Sequence, residues 1–152
     1  MWLKILFLTS LFFINRPLEL SLSRGINTTG YILEIKDIDL SIYFDLSSSL
    51  NGGLELEKIS KKGGPLIISG HSGSGNLALF NDLEYLEKGN QIVIYHNRYK
   101  LTFYIDSMIY YQKYSPVIIP DDNSYLYLIT CDKEDMQKQL LISAKLAKKD
   151  KI

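Results

Sequence analysis

The strictest constraint in this chain is a run of seven residues, Tyr125–Cys131, in which the side chains alternate between two faces. Tyr125, Tyr127, Ile129 and Cys131 share one face; Leu126, Leu128 and Thr130 share the other. A period of two with β-branched and aromatic content specifies a strand. That strand carries the only cysteine of the chain to its end, just before the polar run 132–139. Strand tips are rigid platforms beside loops, where reactive groups are commonly held. One thiol cannot close an internal disulfide, so Cys131 is either a small apolar residue or a nucleophile.

The same alternation recurs along the chain. Tyr31, Leu33 and Ile35 oppose Ile32 and Glu34, and Ile38, Leu40, Ile42 and Phe44 oppose Asp39, Ser41 and Tyr43. Ser47–Gly53 supplies turn chemistry, Leu54–Ile59 reads as a weak strand, and Leu66–Ser69 as a short buried one. A helical turn or two is expected through Leu86, broken by Gly89-Asn90. Gln91–Tyr95 and Lys100–Tyr110 then form a predicted hairpin around His96-Asn97-Arg98-Tyr99. Gln112–Ser124 is a longer loop, and Gln139–Leu146 is the last strand. About eight strands with one or two short helices predict a mostly β protein, a closed or nearly closed eight-stranded barrel.

The chain has 152 residues, room for one domain with a proper core. Lys+Arg and Asp+Glu balance at 17 each, which gives no electrostatic case for nucleic acid. The basic residues of 148–152 read as a solvated tail after a domain at 29–147. Residues 1–16 differ from the rest, being almost wholly apolar through Ile14 and interrupted by Lys4. Fourteen residues span about 21 Å as a helix, short of the roughly 30 Å hydrocarbon core but suited to a secretory signal. Because no small-x-small cleavage site follows, the reading is an uncleaved signal anchor, with a cleaved signal peptide and a buried helix as alternatives. Residues 17–28 are then a linker, and the domain is extracytoplasmic. A lone thiol is unusual in that setting, which favours chemistry at Cys131.

Gly70-His71-Ser72-Gly73-Ser74-Gly75 admits three readings. A phosphate loop fails because Asn76 and Leu77 follow the last glycine instead of Lys and Ser or Thr. A hydrolase elbow fails because Ser74 stands where a glycine is needed. The third places His71 at the end of the Leu66–Gly70 strand, with open space around a ring whose ordinary pKa suits acid/base work. The alternative is a histidine that only caps a turn. A free thiol needs a nearby imidazole or cation before it attacks, so His71 and Cys131 gain meaning together. His96 reads as a surface turn residue, and two histidines with one cysteine fall short of a zinc set.

Ser-Gly-His-Ser-Gly-Ser-Gly-Asn, with Ala78-Leu79-Phe80 soon after, then Leu-Ile-Thr-Cys-Asp and a final strand, resembles the sortase family. The likeness runs from about Gly30 to Leu146, and its two key residues lie sixty positions apart. Sortases are cysteine transpeptidases of Gram-positive cell surfaces built on an eight-stranded β-barrel behind a signal anchor. The resemblance implies that Cys131 attacks the Thr carbonyl of a Leu-Pro-x-Thr-Gly-like sorting signal and forms a thioester. His71 then serves as acid for the leaving amine and base for the incoming one. The partners implied are surface proteins bearing the signal, an amine acceptor on a cell-wall precursor or another protein, and the membrane through residues 1–16.

The resemblance also implies a groove shaped by Thr130 and by Val117, Ile118 and Ile119 in the preceding loop. The competing reading is that these apolar residues pack under that loop. The family's arginine at the start of the last strand is here Gln139, a neutral donor, with Lys138 one residue off and Arg98 a conceivable substitute. Losing a charged donor at an oxyanion costs on the order of 3 kcal/mol. That leaves a weakened, ligand-binding sortase fold as the main alternative and a hydrolytic cysteine peptidase as a third. The chemistry requires no cofactor. Glu55, Glu57 and Asp82 are candidates for calcium, with scattered surface acids the commoner explanation.

Overall fold

The computed structural model describes residues 30–45, 48, 50–56 and 64–152. The expected anchor, the linker and Glu57–Ile59 of the weak strand lie outside these residues. Eight strands follow in order: β1 (Tyr31–Ile35), β2 (Leu40–Phe44), β3 (Leu54–Leu56), β4 (Leu66–Gly70), β5 (Gln91–His96), β6 (Tyr99–Gln112), β7 (Tyr125–Cys131) and β8 (Lys138–Lys151). They form one sheet in the order β2-β1-β5-β6-β8-β7-β4-β3, curled into a nearly closed barrel. Every pairing is antiparallel except β4 with β7, which runs parallel.

The alternation read from the sequence sets the layers. Leu33, Ile35, Ile68, Ile92, Ile94, Leu126, Leu128, Leu140, Ile142 and Ala144 are buried in the barrel interior. Each burial removes apolar surface from water at about 25 cal/mol per Å², which stabilises the curl of the sheet over a flat one. A one-residue slip of β7 would send Leu126 and Leu128 outward, so the interior fixes its register.

One expectation is refined and another changes. The helical turn expected through Leu86 is a 3-10 helix, Leu83–Tyr85, preceded by turns; two further 3-10 turns, Lys36–Ile38 and Leu50–Gly52, link strands. Phe80, Leu83 and Leu86 are the buried residues here, and their spacing of three matches the 3-10 period. Residues 148–151, expected as a tail, continue β8 along the first half of β6, from Thr102↔Lys148 to Tyr99↔Lys151. β6 would otherwise expose a bare edge there, and side-chain contacts reinforce the pairing. Lys149 lies 4.3 Å over the Tyr99 ring across the two strands, while Lys148 pairs with Asp150 at 3.0 Å within β8.

Candidate active site

The parallel β4–β7 ladder runs from Leu66↔Leu126 to Ser69↔Ile129, and both strands end just beyond it. Two side chains then hold those ends together. The buried Thr130 hydroxyl donates to the Gly70 carbonyl at 2.9 Å, and the Ser72 hydroxyl donates to the Cys131 carbonyl. His71 lies between the two residues so held. Its own N–H donates to Gly53 O at 3.3 Å, and its carbonyl accepts from the Phe80 N–H at 2.9 Å. The backbone of His71 is thus fixed beside the end of β7, while its side chain remains exposed.

Glycine at position 70 is required by this packing. A Cβ there would lie 2.5 Å from the Phe80 ring and 2.6 Å from Leu54. Beyond His71 the loop turns at Gly73, whose φ of 113° suits glycine. The Asn81 amide clasps it from both sides, accepting from Gly73 N–H at 2.7 Å and donating to its carbonyl at 2.9 Å.

Cys131 is directly opposite Gln139 on β8, and Gln139 is directly opposite Tyr111 on β6. Directly opposed residues share a face, so Cys131, Gln139 and Tyr111 form one row across three strands on the outer side of the barrel. The next row down reads Ser69, Ile129, Leu141 and Ile109, its last three residues an apolar floor next to the thiol. Lys138 falls on the other face and pairs with Asp135 at 3.2 Å. Arg98 belongs to the β5–β6 turn at the far end of β6, about 40 Å along the strand from Tyr111, so it cannot replace an arginine beside Cys131. Val117 and Ile118 are exposed, Ile118 at 93%, and Ile119 is half-buried, so the first two do not pack under their loop.

A shallow pocket with room for about one water (≈ 10 Å³) lies beside Cys131, lined also by Ser72, Asn81, Glu84, Tyr110 and Lys133. Lys133 forms an ion pair with Glu84 and lies 5.3 Å over the Tyr85 ring. Its hydrogen bond to Glu84 holds the ammonium above its ordinary pKa. Burial raises the Tyr110 phenol, reinforced by Asp132, Glu84 and Glu134. Burial also raises the Tyr111 phenol, with a further contribution from charge on Cys131. Among the described residues no group of three or more His, Cys, Asp or Glu could hold a metal ion.

His96 is no bare turn residue. Its ring stacks on Tyr31 at 3.8 Å and bonds Gly30 O and the Asn97 amide, far along the sheet from Cys131. Sequence reasoning missed Ser72, Asn81, Tyr111 and the Glu84–Lys133 pair. For Ser72 and Asn81 a signal existed, since hydroxyl and amide side chains beside glycines commonly bond to turn backbone.

The sortase domain model matches residues 47–147. Among solved structures, sortase A of Listeria monocytogenes is similar with a TM-score of 0.69 at 16% identity, over 83% of this chain and 91% of that one. Sortase C of Streptococcus pneumoniae is 25% identical, with a TM-score of 0.66 over 80% and 68% of the two chains. Sortase A of Corynebacterium diphtheriae is also 25% identical, with a TM-score of 0.65 over 90% and 71%. No curated protein matches the chain.

Proposed function

Because this chain belongs to the sortase family of transpeptidases, we propose that it cleaves a Leu-Pro-x-Thr-Gly-like sorting signal through a thioester on Cys131. The acyl group then passes to an amine on a cell-wall precursor or another surface protein. The observation that carries this reading is the fastening of the His71 segment to the end of β7 by Thr130 and Ser72. The sulfur attacks the Thr carbonyl, His71 protonates the departing glycine amine, and the thioester stores the acyl group for the second amine. An extended signal laid over the outer face would bring its Leu and Pro onto Ile129, Leu141 and Ile109, with Val117 and Ile118 free to close over them.

Residues 1–16 are proposed as the membrane anchor that keeps the barrel at the cell surface. Among the described residues no helix is long and apolar enough to cross a membrane. Gln139 favours a second reading, a sortase fold that binds signals with slow turnover, because its amide lacks the charge that would strengthen an oxyanion contact.

Intact mass of the full chain, incubated with a Leu-Pro-Ala-Thr-Gly peptide with and without glycine amide, separates these readings. Transfer predicts an acyl adduct on Cys131 that the amine removes. Release of the adduct without amine would make the protein a hydrolase, and peptide binding with no adduct would make it a binding protein. In the same assay Gln139→Arg is expected to speed adduct formation about ten- to a hundredfold. An unchanged rate would remove Gln139 from the substrate-orienting position.

A further inference from the structure

The row that contains Cys131 does not end at Gln139. Tyr111 is the next residue across the sheet, on the same face and two strands from the sulfur, about 10 Å between backbones. A tyrosine side chain directed along this row toward Cys131 would cover most of that span. The Tyr111 side chain is half-buried. Among the described residues neither its hydroxyl nor the Gln139 amide has a side-chain hydrogen-bond partner, so both donors are available. The phenol, raised by burial and further by charge on Cys131, stays protonated near neutrality and so keeps its proton to donate. The neighbouring cations are engaged elsewhere: Lys138 is on the other face with Asp135, Lys133 is paired with Glu84, and Lys113 lies 5.9 Å over the Tyr114 ring.

We propose that the Tyr111 hydroxyl, together with the Gln139 amide, donates to the oxyanion formed when Cys131 attacks a carbonyl, a neutral donor pair in place of one cation. The proposal rests on Cys131 being the nucleophile. As the sulfur bonds to the carbonyl carbon, the C=O electron pair moves onto oxygen, where the phenol meets it. The pair returns when the leaving group departs with the bonding electrons, and the thiol proton passes to His71 or solvent. Donors fixed before the charge develops need no reorganisation during the step, and deleting one typically costs two to three orders of magnitude in rate. A phenol shared with an amide should cost less.

Two reagents separate this role from others without requiring a sorting signal. p-Nitrophenyl acetate acylates a thiol through an oxyanion, whereas iodoacetamide alkylates it by displacement at carbon with no oxyanion. With the Cys131→Ala background subtracted, Tyr111→Phe in the full chain is expected to slow acylation about 10- to 100-fold. Alkylation of the same sample should stay within about twofold, and its normal rate also reports an intact site. Tyr111→Leu, which removes the ring as well, should fall at least as far in acylation. Acylation unchanged in Tyr111→Phe would overturn the proposal, and an equal fall in both reactions would move Tyr111 from the oxyanion to the thiol. If the ester reacts as described while the sorting peptide gives no adduct, the substrate reading fails and the Tyr111 assignment stands.

Discussion

Replacing His71 with alanine is expected to slow both thioester formation and amine transfer by about 10²- to 10⁴-fold, the usual contribution of a positioned acid/base. In the proposed mechanism the same group serves both halves. It must deliver a proton to the leaving amine in the first and remove one from the entering amine in the second, so neither half should escape. The fold should hardly notice. The hydrogen bonds that fix residue 71 come from its backbone, to Gly53 and from Phe80, and an alanine keeps them. The side chain is exposed, so unfolding free energy should move by no more than about 0.5 kcal/mol. Single-turnover mass spectrometry of the adduct, with and without amine, measures both rates, and thermal unfolding checks the fold. Loss of only one half-reaction would divide the acid and base roles between different residues; no loss would remove His71 from the chemistry.

Gly70→Val should be the most damaging single change to the framework under the site. The new Cβ alone would meet the Phe80 ring at 2.5 Å and Leu54 at 2.6 Å, both buried, and two methyl groups add to that. Overpacking of this kind costs about 1–3 kcal/mol when neighbours can shift. Here the neighbours are pinned, because Phe80 donates its N–H to His71 and Leu54 is paired with Gly70 in the sheet. The expected loss is therefore about 3 kcal/mol or more, read as a lower denaturant midpoint at unchanged slope. Any folded Gly70→Val protein should also lose transfer activity, because the Thr130–Gly70 hydrogen bond and the position of His71 move with the strand. A variant of normal stability would mean that Phe80 does not pack against the end of β4.

Much of this architecture was legible in the chain, and the exceptions have physical causes. Strands whose faces differ, such as Tyr125–Cys131, announce themselves because the barrel interior demands the alternation. The positions of His71 and Cys131 at the ends of β4 and β7 followed from where those apolar runs stop. The far half of β8 was hidden, because Lys148, Lys149 and Lys151 have no apolar period and join the sheet through backbone pairing with β6 and through Tyr99. Tyr111 was hidden for a related reason. Its place in the Cys131 row depends on how β6 registers against β8, and that register shifts at irregularities near Thr102/Phe103 and Ile105/Ser107 that no local pattern marks. Before Leu86 the buried residues Phe80, Leu83 and Leu86 recur every three, a spacing that belongs to a 3-10 path.

The proposed chemistry needs two segments sixty residues apart to lie side by side, and the single thiol allows a clean test. His71→Cys places a second sulfur at the end of β4, where neighbouring strands bring Cα atoms within the 4.4–6.8 Å that a disulfide spans (about 5 Å between strands). After mild oxidation of the full chain at low concentration, the predicted result is a monomer lighter by two hydrogens with no titratable thiol. A monomer that keeps both thiols, or one that only dimerises through them, would contradict the shared site.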